Sequence, residues 1–134
     1  MKHDVYLTMT AVVRDQEHYV KEWLGFHYLA RYERFIIILH KCVDKTEERI
    51  RELPFQDRIH IHRIVNDEQY VQLGSYVWAV ENYGHLTKWM AFIDSDEFFF
   101  ATQIDDMKCV LEDYEEHGGV LGNCYVEKIV MLRR

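Results

Sequence analysis

A chain of 134 residues, 49% hydrophobic and 14% aromatic, with a single proline and no low-complexity stretch, has the material for one packed core and is expected to form one globular domain over residues 1–134. Its 16 basic against 23 acidic residues give a formal net charge of -7, which, without a local Lys/Arg cluster, argues against a nucleic-acid partner. Three scattered cysteines, Cys42, Cys109 and Cys124, lack Cys-x-x-Cys spacing and read as buried reduced thiols; with no leader and no apolar run of about 18 residues, the expectation is no membrane span and a cytoplasmic setting, at most peripheral to a membrane.

Val5 to Val13 is mostly apolar and rich in β-formers, and Asp15 follows it in the place of a helix N-cap, with Glu17 in the first turn. From Glu17 to about Ala30, Val20, Trp23, Leu24 and His27 recur at helical spacing, which predicts an amphipathic helix lying on a sheet. Phe35-Ile36-Ile37-Ile38-Leu39 has no polar alternation, the pattern of a parallel strand covered on both faces. Thr46 to Leu53 is a short charged helix stopped by Pro54. Ile59 to Val65 returns to strand, and its His60 and His62 share one side, as a metal pair or, on the plainer reading, as part of a half-exposed strand near an edge.

Gln69 to Tyr83 reads as a helix with Tyr70, Leu73, Val77 and Val80 or Glu81 tracing one face and Gly84 as a left-handed C-cap. Lys88 to Ile93 is a buried strand, Ile104 to His117 a helix carrying Met107, Val110, Leu111 and Tyr114 and ended by Gly118-Gly119, and Val120 to about Val130 a last strand. Alternation of strand and helix predicts an α/β layer, Rossmann-like, with a mainly parallel sheet and right-handed crossovers. The remaining histidines show no catalytic spacing, and Trp23, Trp78 and Trp89 sit in apolar patterns that mark them as core.

The stretch Asp94-Ser95-Asp96-Glu97 ends the buried strand 88–93, so three carboxylates are delivered to the carboxyl edge of a parallel sheet, where open α/β folds bind ligands. In an extended segment Asp94 and Asp96 point to the same side, toward one ion. Magnesium or manganese suits such hard oxygen donors, because these ions take their other ligands from water and substrate phosphates. Two solvated aspartates at a turn would have the same sequence; the apolar strand before them and Phe98-Phe99-Phe100 behind favour a ligand site, since unpaired carboxylates beside a hydrophobic wall are costly.

Trp89 to Phe98 matches a Trp-x-x-x-x-Asp-x-Asp-Glu-Phe segment, and a second block agrees in order and spacing: Val13-Arg14-Asp15, Tyr19, Glu22-Trp23, His27, Phe35 to Leu39, Asp44 and Thr46. In both blocks the chain resembles the family 2-like and family 92-like glycosyltransferases of GT-A fold, over about residues 5 to 117. The resemblance implies a GT-A three-layer sandwich, present in part and truncated after the donor-binding half. It implies a manganese or magnesium ion at Asp94 and Asp96, with Asp94 near the donor ribose. Glu97 would either support the metal ligands from behind or touch the donor sugar, with Arg14 and Asp15 also on the donor side. The partners implied are a nucleotide-diphosphate sugar and an acceptor of unspecified kind, whether glycan, lipid or protein. The alternative is an inactive fragment or an α/β binding module that keeps the pocket.

Where the family has Asn-Glu this chain has Asp15-Gln16, where it has Asp-Asn this chain has Leu39-His40, its serine is Cys42, and a helix-capping glycine is Arg31. Leu39 cannot accept a hydrogen bond from a nucleotide base. Arg31 at a left-handed position would cost roughly 1 kcal/mol. Asp105, Asp106, Glu112 and Glu115, the acids downstream that would serve as a base, read as a solvated helix face. Haloacid dehalogenase-like enzymes also place Asp-x-Asp after a strand, with an aspartyl nucleophile on the opening strand of their fold; that resemblance is disfavoured, because here at least three strand candidates precede the motif and no downstream lysine and acidic cluster follows.

Overall fold

The computed structural model describes residues 4–65, 71–101, 106–123 and 128–133, with side chains described up to residue 119. Its strands are β1 (Val5–Val13), β2 (Arg34–His40), β3 (Ile59–Ile64), β4 (Thr87–Phe92), β5 (Gly119–Asn123) and β6 (Lys128–Arg133). The helices are α1 (Val20–Leu29), α2 (Thr46–Arg51), α3 (Val71–Tyr83) and α4 (Met107–Glu112). One six-stranded sheet has the order β3-β2-β1-β4-β6-β5. The first four strands in that order are parallel, while β6 runs antiparallel to β4 and β5 antiparallel to β6. This is the α/β sandwich with a parallel core expected from the strand–helix alternation.

Side chains alternate along each strand, so the sheet sorts its core into two layers. Leu7, Met9, Ala11 and Val13 of β1, with Phe35, Ile37 and Leu39 of β2 and Trp89 and Ala91 of β4, pack against Val20, Trp23 and Leu24 of α1 and Ile50 of α2. Ile36, Ile38, Met90 and Phe92 face the other way, toward Ala79 of α3. The unbroken apolar run in β2 is explained by its interior position, covered on both sides.

Several boundaries differ from the sequence expectation. Asp15 does not cap α1: its φ is 49°, a turn over residues 17–19 intervenes, and the N-cap is Tyr19. Gly84 is not left-handed but opens a single 3-10 turn, Gly84–Leu86, that leads straight into β4. The expected buried face of α3 holds only at Val80, which packs on the core; Leu73 and Val77 are exposed, and Ser75 and Ala79 are buried instead. Ring contacts fix this orientation: Tyr76 meets Phe92 at a tilt at 4.7 Å and Trp78 stacks on His62 at 4.0 Å between ring centroids. His62 is thereby a packing residue on the edge strand β3, as is His60 against Tyr83.

Past the acidic cluster, α4 is shorter than expected and is capped by Asp106, whose carboxylate accepts from the Lys108 N–H at 2.9 Å. The single strand expected over 120–130 is instead the antiparallel pair β5 and β6. Cys109 is exposed rather than buried, because Met107 and Leu111 take the inward face of α4. Tyr70, Ile104, Asp105 and Cys124 lie outside the described residues.

Arg31 does occupy the left-handed region, at φ 79°. Exchanging it for glycine should therefore remove a steric penalty and raise unfolding stability by about 1 kcal/mol, read from the urea midpoint at unchanged m-value. A lower midpoint would show that the arginine side chain stabilises the structure by more than its backbone strain costs.

Candidate metal and donor site

Asp94, Asp96 and Glu97 converge: each presents a carboxylate oxygen within 4.8 Å of the others. The convergence does not come from extended alternation, as the spacing suggested. β4 ends at Phe92, Ser95 and Asp96 sit in a turn, and the Glu97 N–H donates to the Asp94 carbonyl at 3.0 Å. That turn brings in Glu97, which a continuing strand would have pointed away from Asp96. On the α3 side the Gln72 Nε2 donates to Asp94 Oδ1 at 2.9 Å and also reaches the Tyr76 hydroxyl at 3.1 Å, which orients this carboxylate.

The backbone behind the cluster is held from α1 and the turn after it. Trp23 Nε1–H donates to the Glu97 carbonyl at 2.7 Å, and the Tyr32 hydroxyl donates to the Phe99 carbonyl at 2.9 Å. His27, fully buried, accepts the Phe99 N–H at its Nε2 at 3.2 Å, so its proton must be on Nδ1, which donates to the Trp23 carbonyl at 2.8 Å. Burial pushes the His27 imidazole down to about 4, so it is neutral at physiological pH. Phe98 stacks on the same ring at 5.7 Å. The two sequence blocks, Glu22-Trp23 to His27 and Asp94 to Phe98, are thus bonded to each other in space.

The neighbouring loop is tied by carboxylates. Asp15 Oδ1 accepts from the N–H groups of Val43 at 2.8 Å and Asp44 at 3.3 Å, while Asp44 accepts from Glu17 N at 3.2 Å and from the Thr46 N–H and hydroxyl. Thr46 Oγ1 in turn accepts the Gln16 N–H at 2.8 Å. Desolvation, the largest single influence on the Asp44 carboxyl, raises it, but the hydrogen bonds from Thr46 and Glu17 together outweigh it and hold it below the usual carboxylate range. Replacing Asp15 by alanine should free the 43–44 loop and cost about 1–2 kcal/mol, measurable by chemical denaturation. A loss below a few tenths would mean that water replaces both bonds.

Arg14 is exposed at the carboxyl end of β1, and Leu39, 3% exposed, lines a separate cleft with Lys41 and Cys42 at the ends of β2 and β3. The structure therefore brings Asp94, Asp96 and Glu97 together and sets Arg14 and Asp15 on the same edge of the sheet. Sequence reasoning missed Gln72 and Tyr32. No local pattern marks either one, because their partners lie 22 and 67 residues away.

No protein-family model matches the chain. Among curated proteins it is similar to the galactan beta-1,4-galactosyltransferases GALS3 and GALS2 of Arabidopsis thaliana, at 29% and 28% identity over 106 residues, or 73% of this chain. The matched region spans about a fifth of each relative, 21% and 20%. Among solved structures it is similar to S. aureus TarS, with a TM-score of 0.62 for the 1–349 form at 14% identity, covering 87% of this chain and 34% of that one. A second TarS structure gives 0.63 at 12% identity, covering 87% and 20%. The fold is of the GT-A type, and the curated relatives together with that fold support a glycosyltransferase superfamily as the one to which this chain is related.

Proposed function

We propose that the chain is the donor-binding part of a metal-dependent glycosyltransferase, which uses a nucleotide-diphosphate sugar and passes its sugar to an acceptor hydroxyl. The observation that carries this reading is the convergence of Asp94, Asp96 and Glu97 at the carboxyl edge of the parallel strands. Three hard oxygen donors within 4.8 Å fit Mn2+ or Mg2+, with Asp94 and Asp96 as its ligands and Glu97 toward the donor sugar. A bound ion would supply Lewis-acid stabilisation of the diphosphate leaving group. Gln72 holds Asp94 in orientation, and Trp23, His27 and Tyr32 fix the backbone that carries Asp96 and Glu97. Arg14 and Asp15 stand on the donor side. The names of the curated relatives suggest galactose as the transferred sugar.

A second reading, a binding module without transfer, is favoured by one observation: the buried Leu39 puts an apolar wall at the end of β2, where a base would need an acceptor. Calorimetric titration with Mn2+ and then UDP is the first test, and heat from UDP that depends on Mn2+ is expected. Absence of any metal-dependent heat sinks both readings. Binding without release of UDP from UDP-galactose, over a panel of glycan, lipid and peptide acceptors, would select the module.

A further inference from the structure

Along the outer side of α1, toward the amino edge of the parallel strands, four apolar side chains stand in solvent. Phe26 and Leu29 lie three residues apart on one face of the helix, and Leu29 is 76% exposed. Phe98 and Phe100 join them from the segment after the carboxylates, each edge-on to Phe26, at 4.9 Å and 5.3 Å, while Phe99 between them packs on the core. On a chain this size a contiguous patch of that kind marks an interaction surface. Leu29 also lines a cleft of about 470 Å3 at the end of α1, with Arg31, Arg58 and Lys108 around it. Glu33 and Asp106 share the lining, but their carboxylates already accept the N–H groups of Tyr6 at 3.1 Å and Lys108 at 2.9 Å. Among the described residues none of these three cations forms an ion pair, whereas Lys21, Arg49, Arg51, Arg63 and Lys88 all do. In a chain of net charge -7 the cleft is thus a local excess of positive charge.

The apolar patch and the cationic cleft adjoin at Leu29, and together they select the partner. A soluble anion would leave the four apolar side chains in water. An apolar protein segment would leave the cations against hydrocarbon, which is costly. A bilayer surface presents phosphates at one level and acyl chains just below it; long Lys and Arg stems reach the first while Phe and Leu enter the second. We propose that this side of the chain docks on a membrane containing anionic phospholipid, with Arg31, Arg58 and Lys108 on the headgroup phosphates and Phe26, Leu29 and Phe100 at the acyl boundary. Glu22, exposed one turn before Phe26, bounds the surface, because an anionic leaflet repels its carboxylate. The attachment is to one face of the bilayer: among the described residues no helix is long and apolar enough to cross it. It depends on neither the metal nor the transfer reading.

The test is flotation of the full chain with vesicles of phosphatidylcholine alone and of two parts phosphatidylcholine to one part phosphatidylserine. Binding is expected to the mixed vesicles only, and molar salt should weaken it by more than about tenfold. Arg31→Gln and Lys108→Gln should each weaken it about fivefold, the worth of one cation at an anionic surface. Glutamine keeps a β-carbon at the positive φ of residue 31, so the backbone there is unchanged. Leu29→Ser should weaken binding about tenfold by removing an inserted side chain, with the urea midpoint unmoved because Leu29 is so exposed. Arg63→Gln, the same charge change at the carboxyl end of β3 where Glu47 pairs with the arginine, should float as wild type. No flotation with the mixed vesicles, or equal binding to both compositions, overturns the proposal. So does loss in the cation variants with none in Leu29→Ser, or full displacement by millimolar inorganic phosphate, either of which would make the cleft a soluble-anion site. A dimer in sedimentation velocity that Leu29→Ser dissolves would give the apolar patch to a second copy of the chain and overturn it equally. The Mn2+–UDP titration bears on the transfer reading alone, since none of these variants touches the carboxylate cluster.

Discussion

Replacing His27 by alanine is expected to destabilise the chain by about 3–5 kcal/mol, enough to consume a large part of the stability of a domain this size. The side chain is fully buried between Trp23, Phe26, Tyr32 and Phe98, so its removal leaves a cavity lined by aromatic rings. It also orphans the Phe99 N–H, which has Nε2 as its acceptor. An unpaired buried donor costs about 1–3 kcal/mol beyond the packing loss. His27→Gln, which can present an amide oxygen toward Phe99, should recover part of the loss. Urea denaturation of the three proteins decides it: a cost near 1 kcal/mol for alanine would mean that the 97–99 segment finds other partners.

The same residue predicts a pH dependence. Its folded-state value of about 4 lies below the ordinary 6.5, so the unfolded chain takes up a proton at a pH where the folded chain refuses it. The contribution is therefore whole above pH 6.5, shrinks as pH falls, and is gone once pH passes about 4. The gap corresponds to about 3 kcal/mol. His27→Gln lacks this term, so the stability difference between it and the wild type should narrow steadily from pH 7 to pH 4. Parallel curves would show that the imidazole is protonated in the native state at little cost.

Local spacing made the site's position legible and its construction not. Phe35 to Leu39 could be read as a covered parallel strand because every residue in it is apolar, and the five residues before Asp94, Trp89 to Ile93, could be read likewise. The position of Asp94, Asp96 and Glu97 at the end of that strand followed. The turn that gathers them did not, since nothing in Asp-Ser-Asp-Glu distinguishes it from an extended continuation. The bonds from Trp23 to Glu97 and from His27 to Phe99 join residues 74 and 72 apart, and only the resemblance hinted that the two blocks belong together. The apolar spacing of helix α3 fits more than one face, and the choice is made by the ring contacts of Tyr76 with Phe92 and of Trp78 with His62. Asp15 was assigned to the helix it precedes, whereas its positive φ turns the carboxylate to Val43 and Asp44.

Asp96→Asn should move metal affinity and metal-free stability in opposite directions. Three carboxylates within 4.8 Å repel one another when no cation is bound, by roughly 1 kcal/mol for each pair in water before salt screening. Asp96 is exposed and receives no hydrogen bond from the groups that orient Asp94, so its charge can be removed without disturbing Gln72 or Trp23. In EDTA the variant should therefore melt slightly higher than the wild type. In saturating Mn2+ the order should invert, because the wild type alone gains binding free energy, about 2.7 kcal/mol at a hundred times its Kd. Loss of even an outer partner of a ligand lowers metal affinity about 10–100-fold, so loss of a direct ligand should weaken Mn2+ binding at least a hundredfold. Asp94→Asn should weaken binding as well but gain less stability, since Gln72 already donates to its carboxylate. A variant that melts lower than wild type in EDTA would assign Asp96 a structural role instead, and unchanged order in Mn2+ would remove the metal from this site.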